Sequence, residues 1–407
     1  MAATDLDNNE AVKTYLALLK GREIVVPLDW ETFLQIRAPY QDTPFTEREV
    51  QTRYFRNGYD WDIHGTLYTP ATEILPDHAF VLIHGGGVNE LDFQVTPDGR
   101  PGLARILASQ GFTVLTPSYP GLFPPGGKWD VPVTSRKPFY LLDRNLADDE
   151  IKDRLLKATY GVYMQGIGSL VEQCLGNKKL FMVGHSTGGP MAADIYEYLV
   201  TAKVAGILGW GSGATDAWIS KWRETTRLPK WAVGPPGAAS PLGAIIYRSV
   251  EEYRGPSGYE DPPDLTPWGD MAQRFELVRE TTPMFNPDLQ VTSHDADMAR
   301  LESYHRATGL PLQEYTGHLR EPAPSFLREI SVLLLVGEND KNHWKTGGER
   351  LEDKQDGFAV KLYAEKTNHA HLVLVPRYAH MGHWALHNEK LVYLWLWAVK
   401  CGYFDSP

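Results

Sequence analysis

Gly184-His185-Ser186-Thr187-Gly188 constrains this chain more than any other stretch. It follows the apolar run Lys179-Leu180-Phe181-Met182-Val183. It precedes Gly189-Pro190-Met191-Ala192-Ala193-Asp194-Ile195-Tyr196, which reads as a helix. A strand, a Gly-X-Ser-X-Gly turn and a helix in that order describe a nucleophile elbow, a sharp turn that presents a serine hydroxyl. The turn strains the serine backbone and needs small neighbours on both sides, which Gly184 and Gly188 supply. The pentapeptide alone recurs by chance, and a plain strand-helix turn with an idle serine has the same letters. Its setting between a strand and a helix gives it weight.

The surrounding chain has the rhythm such an elbow needs. Arg53-Tyr54-Phe55-Arg56 and Ile63-His64-Gly65-Thr66-Leu67-Tyr68 flank Asn57-Gly58, so Val50 to Pro70 reads as a hairpin. Ala79-Phe80-Val81-Leu82-Ile83 is a short continuous apolar run, the pattern of a strand buried on both faces. Gly102 to Gln110 reads as a helix stopped by Gly111, and Phe112 to Thr116 as the next strand. Ile151 to Cys174 is helical, and Val204 to Leu208, Ile330 to Val336 and His371 to Val375 are further strands. Glu389 to Phe404 is an amphipathic closing helix. Alternating strands and helices predict an α/β fold with a doubly wound, mostly parallel sheet.

The alternation breaks between Gly213 and Arg328, a stretch rich in proline, glycine and tryptophan. The expected organisation is a leader over 1–48 packed on the core, a core over 49–213, a cap or lid over 214–328, and the rest of the core over 329–407. At 407 residues with 43% hydrophobic side chains, one α/β core plus a large insertion fits. The net charge of −11 and the lack of any basic run argue against nucleic acid or an anionic membrane as a partner. Cys174 and Cys401 are too few and too far apart for a disulfide framework. The acidic N-terminus lacks the basic and apolar regions of a signal peptide, and no apolar run is long enough to span a membrane. Together these features point to the cytoplasm. The oligomeric state stays open.

These motifs resemble the α/β-hydrolase family, and the resemblance spans about Val50 to Phe404 outside the insertion. A serine hydroxyl is a weak nucleophile near neutral pH and needs a base, itself oriented by a carboxylate. The family order is serine, acid, histidine. Gly337-Glu338-Asn339-Asp340 follows an apolar strand and resembles the family's Gly-X-X-Asp loop, which implies Asp340 as the acid, with Glu338 as the nearby competitor. Ala379-His380-Met381-Gly382-His383-Trp384 lies after the last strand. Family histidines commonly follow a glycine there, which selects His383 as the base and leaves His380 second. His387 reads as a solvated residue, and the His369/His371 pair as a strand-end feature, since no third metal ligand accompanies it.

The reaction also needs donors for the oxyanion that forms on attack. His84-Gly85-Gly86-Gly87 follows the first core strand and resembles the family's His-Gly-Gly-Gly motif. The resemblance implies Gly86 and Gly87 as donors, with Thr187 supplying the other N–H and His84 bracing the loop. Thr96-Pro97-Asp98-Gly99-Arg100-Pro101-Gly102 resembles a segment of a group of bacterial and fungal esterases. In that group the acid follows the strand after the nucleophile strand. Here that place reads Gly209-Trp210-Gly211-Ser212, with no carboxylate before Asp216. The departure favours Asp340 and keeps Asp216 as an alternative.

Tyr119, Trp218 and Trp222 are candidate substrate contacts. Aromatic side chains over a cleft suit an apolar substrate, and a cap also needs a small core of its own. The expected activity is a serine hydrolase cleaving a carboxylic ester or lactone, with no cofactor and no metal. An amide or carbon–carbon hydrolase with the same triad is the alternative, and a non-catalytic hydrolase-fold binding protein is the alternative from another class.

Overall fold

The computed structural model describes residues 9–23, 25–56, 58–85, 90–96, 98–118, 160–186, 188–211, 264–265, 330–340 and 369–405. Among the described residues nine strands form one sheet: β1 (Val25–Pro27), β2 (Phe45–Arg56), β3 (Tyr59–Pro70), β4 (His78–Ile83), β5 (Thr113–Pro117), β6 (Lys179–His185), β7 (Lys203–Trp210), β8 (Ser331–Gly337) and β9 (Ala370–Val375). Their spatial order is β1-β9-β8-β7-β6-β4-β5-β3-β2. The β2–β3 and β3–β5 pairs are antiparallel and every other pair is parallel.

The central strands are apolar throughout because both faces are covered. Phe80, Leu82, Phe181, Val183, Leu333 and Leu335 point to one side, into a core shared with Trp395 and Trp397. Ala79, Val81, Ile83, Leu180 and Met182 alternate to the other side, against Leu170 and Val171. The covering helices on the first face are α1 (Glu10–Leu19), α2 (Trp30–Gln35) and α3 (Leu103–Ser109), with the final helix, α6 (Glu389–Lys400). The second face carries α4 (Tyr160–Leu175) and the short α5 (Gly188–Asp194). A fully buried side chain of this size stabilises by roughly 1.5–3 kcal/mol, so each face holds its helices firmly.

The leader carries two helices and a short strand. Asn9 caps α1 by accepting a hydrogen bond from the Val12 N–H at 3.2 Å. The Tyr15 hydroxyl donates to the Leu394 carbonyl at 3.1 Å and ties α1 to α6. β1 then pairs in parallel with β9 and extends the sheet at that edge. The hairpin begins at Phe45 rather than Val50, because β2 continues as an exposed edge through Glu47, Arg48 and Glu49. The expected cap over 214–328 lies outside the described residues, apart from Asp264 and Leu265. Among the described residues no helix is long and apolar enough to cross a membrane.

Parallel pairing brings the carboxyl ends of β4, β6, β7, β8 and β9 to one edge of the sheet. Loops that follow such strands gather at that edge. Gly85, Ser186, Gly211, Asp340 and the 376–384 segment all follow these strands.

Candidate active site

Ser186 sits between β6 and α5 with a φ of 51°, in the left-handed region that residues with a side chain rarely adopt. It is only partly buried, whereas the strand behind it is buried from Leu180 to His185. Strain of this kind persists when the surroundings enforce it. They do so here: the Ser186 N–H donates to the Trp210 carbonyl at 3.3 Å, and the Gly189 N–H donates to the Ser186 carbonyl at 3.0 Å. A Cβ on Gly188 would lie 2.2 Å from the Ile83 carbonyl oxygen, and one on Gly184 would lie 2.4 Å from the Gly188 oxygen. Both glycines are required by space, as the sequence pattern implies.

Asp340 lies just past β8 and is completely buried. Its Oδ2 accepts a hydrogen bond from Nδ1 of His380 at 2.9 Å. A carboxylate only accepts, so Nδ1 carries the proton and Nε2 is the basic nitrogen. The His380 loop is fixed from below by the Trp210 indole N–H, which donates to the His380 carbonyl at 2.9 Å. Gly211 closes β7 against this pair: a Cβ there would sit 3.1 Å from His380 Nδ1 and 3.3 Å from Asp340 Oδ2. The imidazole of His185, the residue before Ser186, has its centre 4.9 Å from that of His380. A buried carboxylate, a histidine it orients and a strained serine thus follow β8, β9 and β6 at one edge of the sheet.

The expected base, His383, does not pair with Asp340. Its Nε2 donates instead to Oδ1 of Asp92 at 2.8 Å. The preceding glycine favours His383 by sequence. However, Gly382–Trp384 forms a single 3-10 turn that carries His383 away from β8, while His380 lies level with Asp340. The expected competitor Glu338 is exposed and accepts from the Arg377 N–H at 3.1 Å. His371 is buried and bonded to the Tyr403 hydroxyl at 2.8 Å. His387 is exposed, near Glu389. His84 is buried, and its Nδ1–H donates to the Gly85 carbonyl at 2.8 Å. Gly86, Gly87, Thr187, Tyr119, Trp218, Trp222 and Asp216 lie outside the described residues. The start of the glycine run nevertheless reaches the serine, since a Cβ on Gly85 would lie 3.0 Å from Ser186 Cβ.

Sequence reasoning missed a second buried network. Asp92 accepts from His383 on Oδ1 and from Nδ1 of His185 on Oδ2, the latter at 2.9 Å. Burial alone would raise the Asp92 pKa. The His383 and His185 imidazoles outweigh burial and hold it below the usual carboxylate range. Burial pushes His383 down, against the pull of Asp92, and keeps it neutral near pH 7. The sequence signal was a carboxylate framed by Leu91 and Phe93 just after a glycine run. The ligand atoms of Asp92, His185 and His383 lie within 4.8 Å of one another, and two imidazoles with a carboxylate suit a transition metal. Yet the outer nitrogens, His185 Nε2 and His383 Nδ1, are buried with no acceptor among the described residues. Metal-bound imidazoles turn an N–H outward that needs one. The 2.8 and 2.9 Å separations are direct hydrogen bonds.

The Thr96–Gly102 segment braces the same histidine loop. Arg100 donates to the Trp384 carbonyl at 2.6 Å, the Ala385 carbonyl at 2.9 Å and the Asn388 side-chain oxygen at 3.2 Å, while Asp98 holds its Nε at 2.7 Å. Asn388 in turn donates to the His383 carbonyl at 3.0 Å.

The sequence from 80 to 392 matches the family model described as the alpha/beta hydrolase family. This chain belongs to that family. Like other α/β-hydrolases it pairs a mostly parallel sheet with loops that gather at the strands' carboxyl ends. Its fold is similar to a membrane phospholipase A described as a bacterial virulence factor (12% identity, 88% of this chain and 87% of that one, TM-score 0.42). It is similar to the peroxisomal α/β-hydrolase Lpx1 of Saccharomyces cerevisiae (11% identity, 90% and 91% covered, TM-score 0.41). It is also similar to esterase E22 (13% identity, 87% and 100% covered, TM-score 0.41). A search of curated proteins finds no match. Membership makes the chain a hydrolase of this superfamily and leaves its substrate unassigned.

Proposed function

We propose that this α/β-hydrolase is a serine hydrolase that cleaves a carboxylic ester or lactone of a fairly apolar small molecule through an acyl-enzyme. The observation that carries the reading is the Asp340–His380 hydrogen bond of 2.9 Å beside the strained turn of Ser186. His380 Nε2 takes the Ser186 proton as Oγ attacks the carbonyl carbon. The π electrons move to the carbonyl oxygen, which receives backbone N–H groups of Gly86, Gly87 and Thr187. Collapse expels the alcohol, protonated by the His380 imidazolium, and leaves Ser186 acylated. Water, deprotonated by His380, then releases the acid. Asp340 stays ionised, fixing the tautomer and stabilising the imidazolium. Each oxyanion donor contributes on the order of a hundredfold to a thousandfold in turnover. Tyr119, Trp218 and Trp222 are the proposed substrate contacts, which suits an apolar acyl or alcohol group.

The test is a fluorophosphonate probe on wild type and Ser186→Ala, followed by a panel of acyl esters, lactones and amides. Stoichiometric labelling of wild type, none of Ser186→Ala, and turnover of an ester or lactone are expected. Folded wild type that takes no label would overturn the reading.

A further inference from the structure

The Asp92 network joins two parts of the catalytic apparatus that the sequence keeps far apart. Asp92 lies in the 3-10 turn Glu90–Phe93, which follows the glycine run after β4. One carboxylate oxygen holds His185, the residue immediately before Ser186, and the other holds His383, three residues after His380. The backbone of the same residue takes part, since the Trp384 indole donates to the Asp92 carbonyl at 3.1 Å. All three side chains are buried: Asp92 is 0% exposed, His185 2% and His383 1%. A buried carboxylate costs several kcal/mol unless it is fully bonded. Asp92 meets that condition with two imidazole donors, one on each side of the proposed catalytic pair.

We infer that Asp92 is a positioning residue that sets the separation and electrostatics of Ser186 and His380 by holding His185 and His383 at once. This inference rests on the serine-hydrolase reading. Because both imidazoles donate to Asp92, each has a single tautomer, Nδ1–H in His185 and Nε2–H in His383. Neither ring can turn without leaving a buried N–H unpaired. The elbow and the base loop are thereby locked to one carboxylate, and hence to each other. Reaction between two groups held this way is steeply sensitive to their separation.

The charge acts as well as the geometry. Asp92 stands one imidazole away from His380, because His185 bonds Asp92 and lies 4.9 Å, centre to centre, from the His380 ring. Among the described residues, the titratable groups facing His380 from the packed elements include Asp340 after β8 and His185 on β6. Beyond them lie Asp92 on its turn, His383 on the shared loop and His84 after β4. Asp92 and Asp340 are the anions of this set, and both favour the imidazolium that forms when His380 takes the serine proton. Loss of the Asp92 charge therefore removes one stabiliser of that imidazolium, which moves the acid limb of the reaction to lower pH.

Asp92→Asn separates these effects from packing. It keeps the shape, removes the charge and makes one imidazole N–H face an amide N–H. The readout is the rate of fluorophosphonate labelling against pH, which needs no knowledge of the natural substrate. Relative to wild type, Asp92→Asn is expected to label at least about tenfold more slowly on the high-pH plateau. Its acid limb is expected to move to lower pH. His383→Leu keeps the Asp92 charge but removes the donor to its Oδ1, so its plateau falls while the limb stays in place; it decides the matter if Asp92→Asn does not fold. Wild type that labels beside an Asp92→Asn with an unmoved limb refutes the inference alone. So does a His383→Leu plateau equal to wild type, or stoichiometric metal whose chelation abolishes labelling. Folded wild type that never labels refutes the serine-hydrolase reading and takes this inference with it.

Discussion

Acid should weaken this protein as pH falls below about 6.5, and buried His84 supplies a definite reason. His84 follows β4 and is completely buried. Burial pushes its pKa from 6.5 to about 4, against opposing pulls from the Gly85 carbonyl and Asp92 and with a further push down from His185. The folded chain keeps this imidazole neutral where the unfolded chain protonates it. The unfolded state then binds more protons, so stability falls as pH falls below the unfolded value and the loss ends near the folded one. Integrated from pH 7 down to about pH 4, this difference costs about 3 kcal/mol. His64, His78, His371 and His383 are shifted in the same direction, with burial the leading cause in each, and steepen the loss. Against a typical domain stability of roughly 5–15 kcal/mol, the effect is large.

Urea unfolding at steps between about pH 7 and 4.5 measures it directly. The slope near pH 5 should correspond to at least about one proton taken up per molecule unfolded. His84→Gln should reduce that uptake by about one proton, whatever its effect on stability at neutral pH. A wild-type free energy that is flat across this range, or a His84→Gln slope equal to wild type, would refute the reasoning.

Other residues give sharper local tests. Gly188→Ala places a methyl 2.2 Å from the Ile83 oxygen, backbone against backbone; a loss of several kcal/mol or failure to fold is expected in thermal melts, of the order that severe steric conflict produces. Arg100→Lys cannot reach three acceptors and Asp98 with one ammonium. It should cost about 1–3 kcal/mol and slow fluorophosphonate labelling, with no rescue at higher pH. Asp340→Asn should lower labelling on the order of a thousandfold or more, whereas Glu338→Gln, on an exposed side chain, should label within about twofold of wild type.

Strands with both faces covered were legible because burial leaves an unbroken apolar run, as in β4, β6 and β8. β1 was not: three residues ending in Pro27 hold too few letters to show a period, and β9 rather than their own pattern makes them a strand. The start of β2 was hidden for the opposite reason, since an edge exposed on Glu47, Arg48 and Glu49 reads as a solvated loop. The strained turn at Ser186 and its flanking glycines were legible because the local geometry demands small neighbours there, whereas Asp340 was implied by the resemblance of its loop. The choice between His380 and His383 was not local. Each imidazole has its own buried carboxylate, 40 residues away for His380 and 291 for His383, and only the sheet order says which carboxylate stands beside which ring. His185 stayed hidden inside the motif that drew attention to its neighbour.

The most direct measurement compares His380→Ala with His383→Ala by mass-spectrometric quantitation of probe bound at Ser186, both proteins being shown to fold. If Asp340 and His380 activate the serine, the first variant should lose essentially all labelling while the second retains a slower reaction at that same serine. Full labelling without His380, with none once His383 is removed, would contradict the assignment.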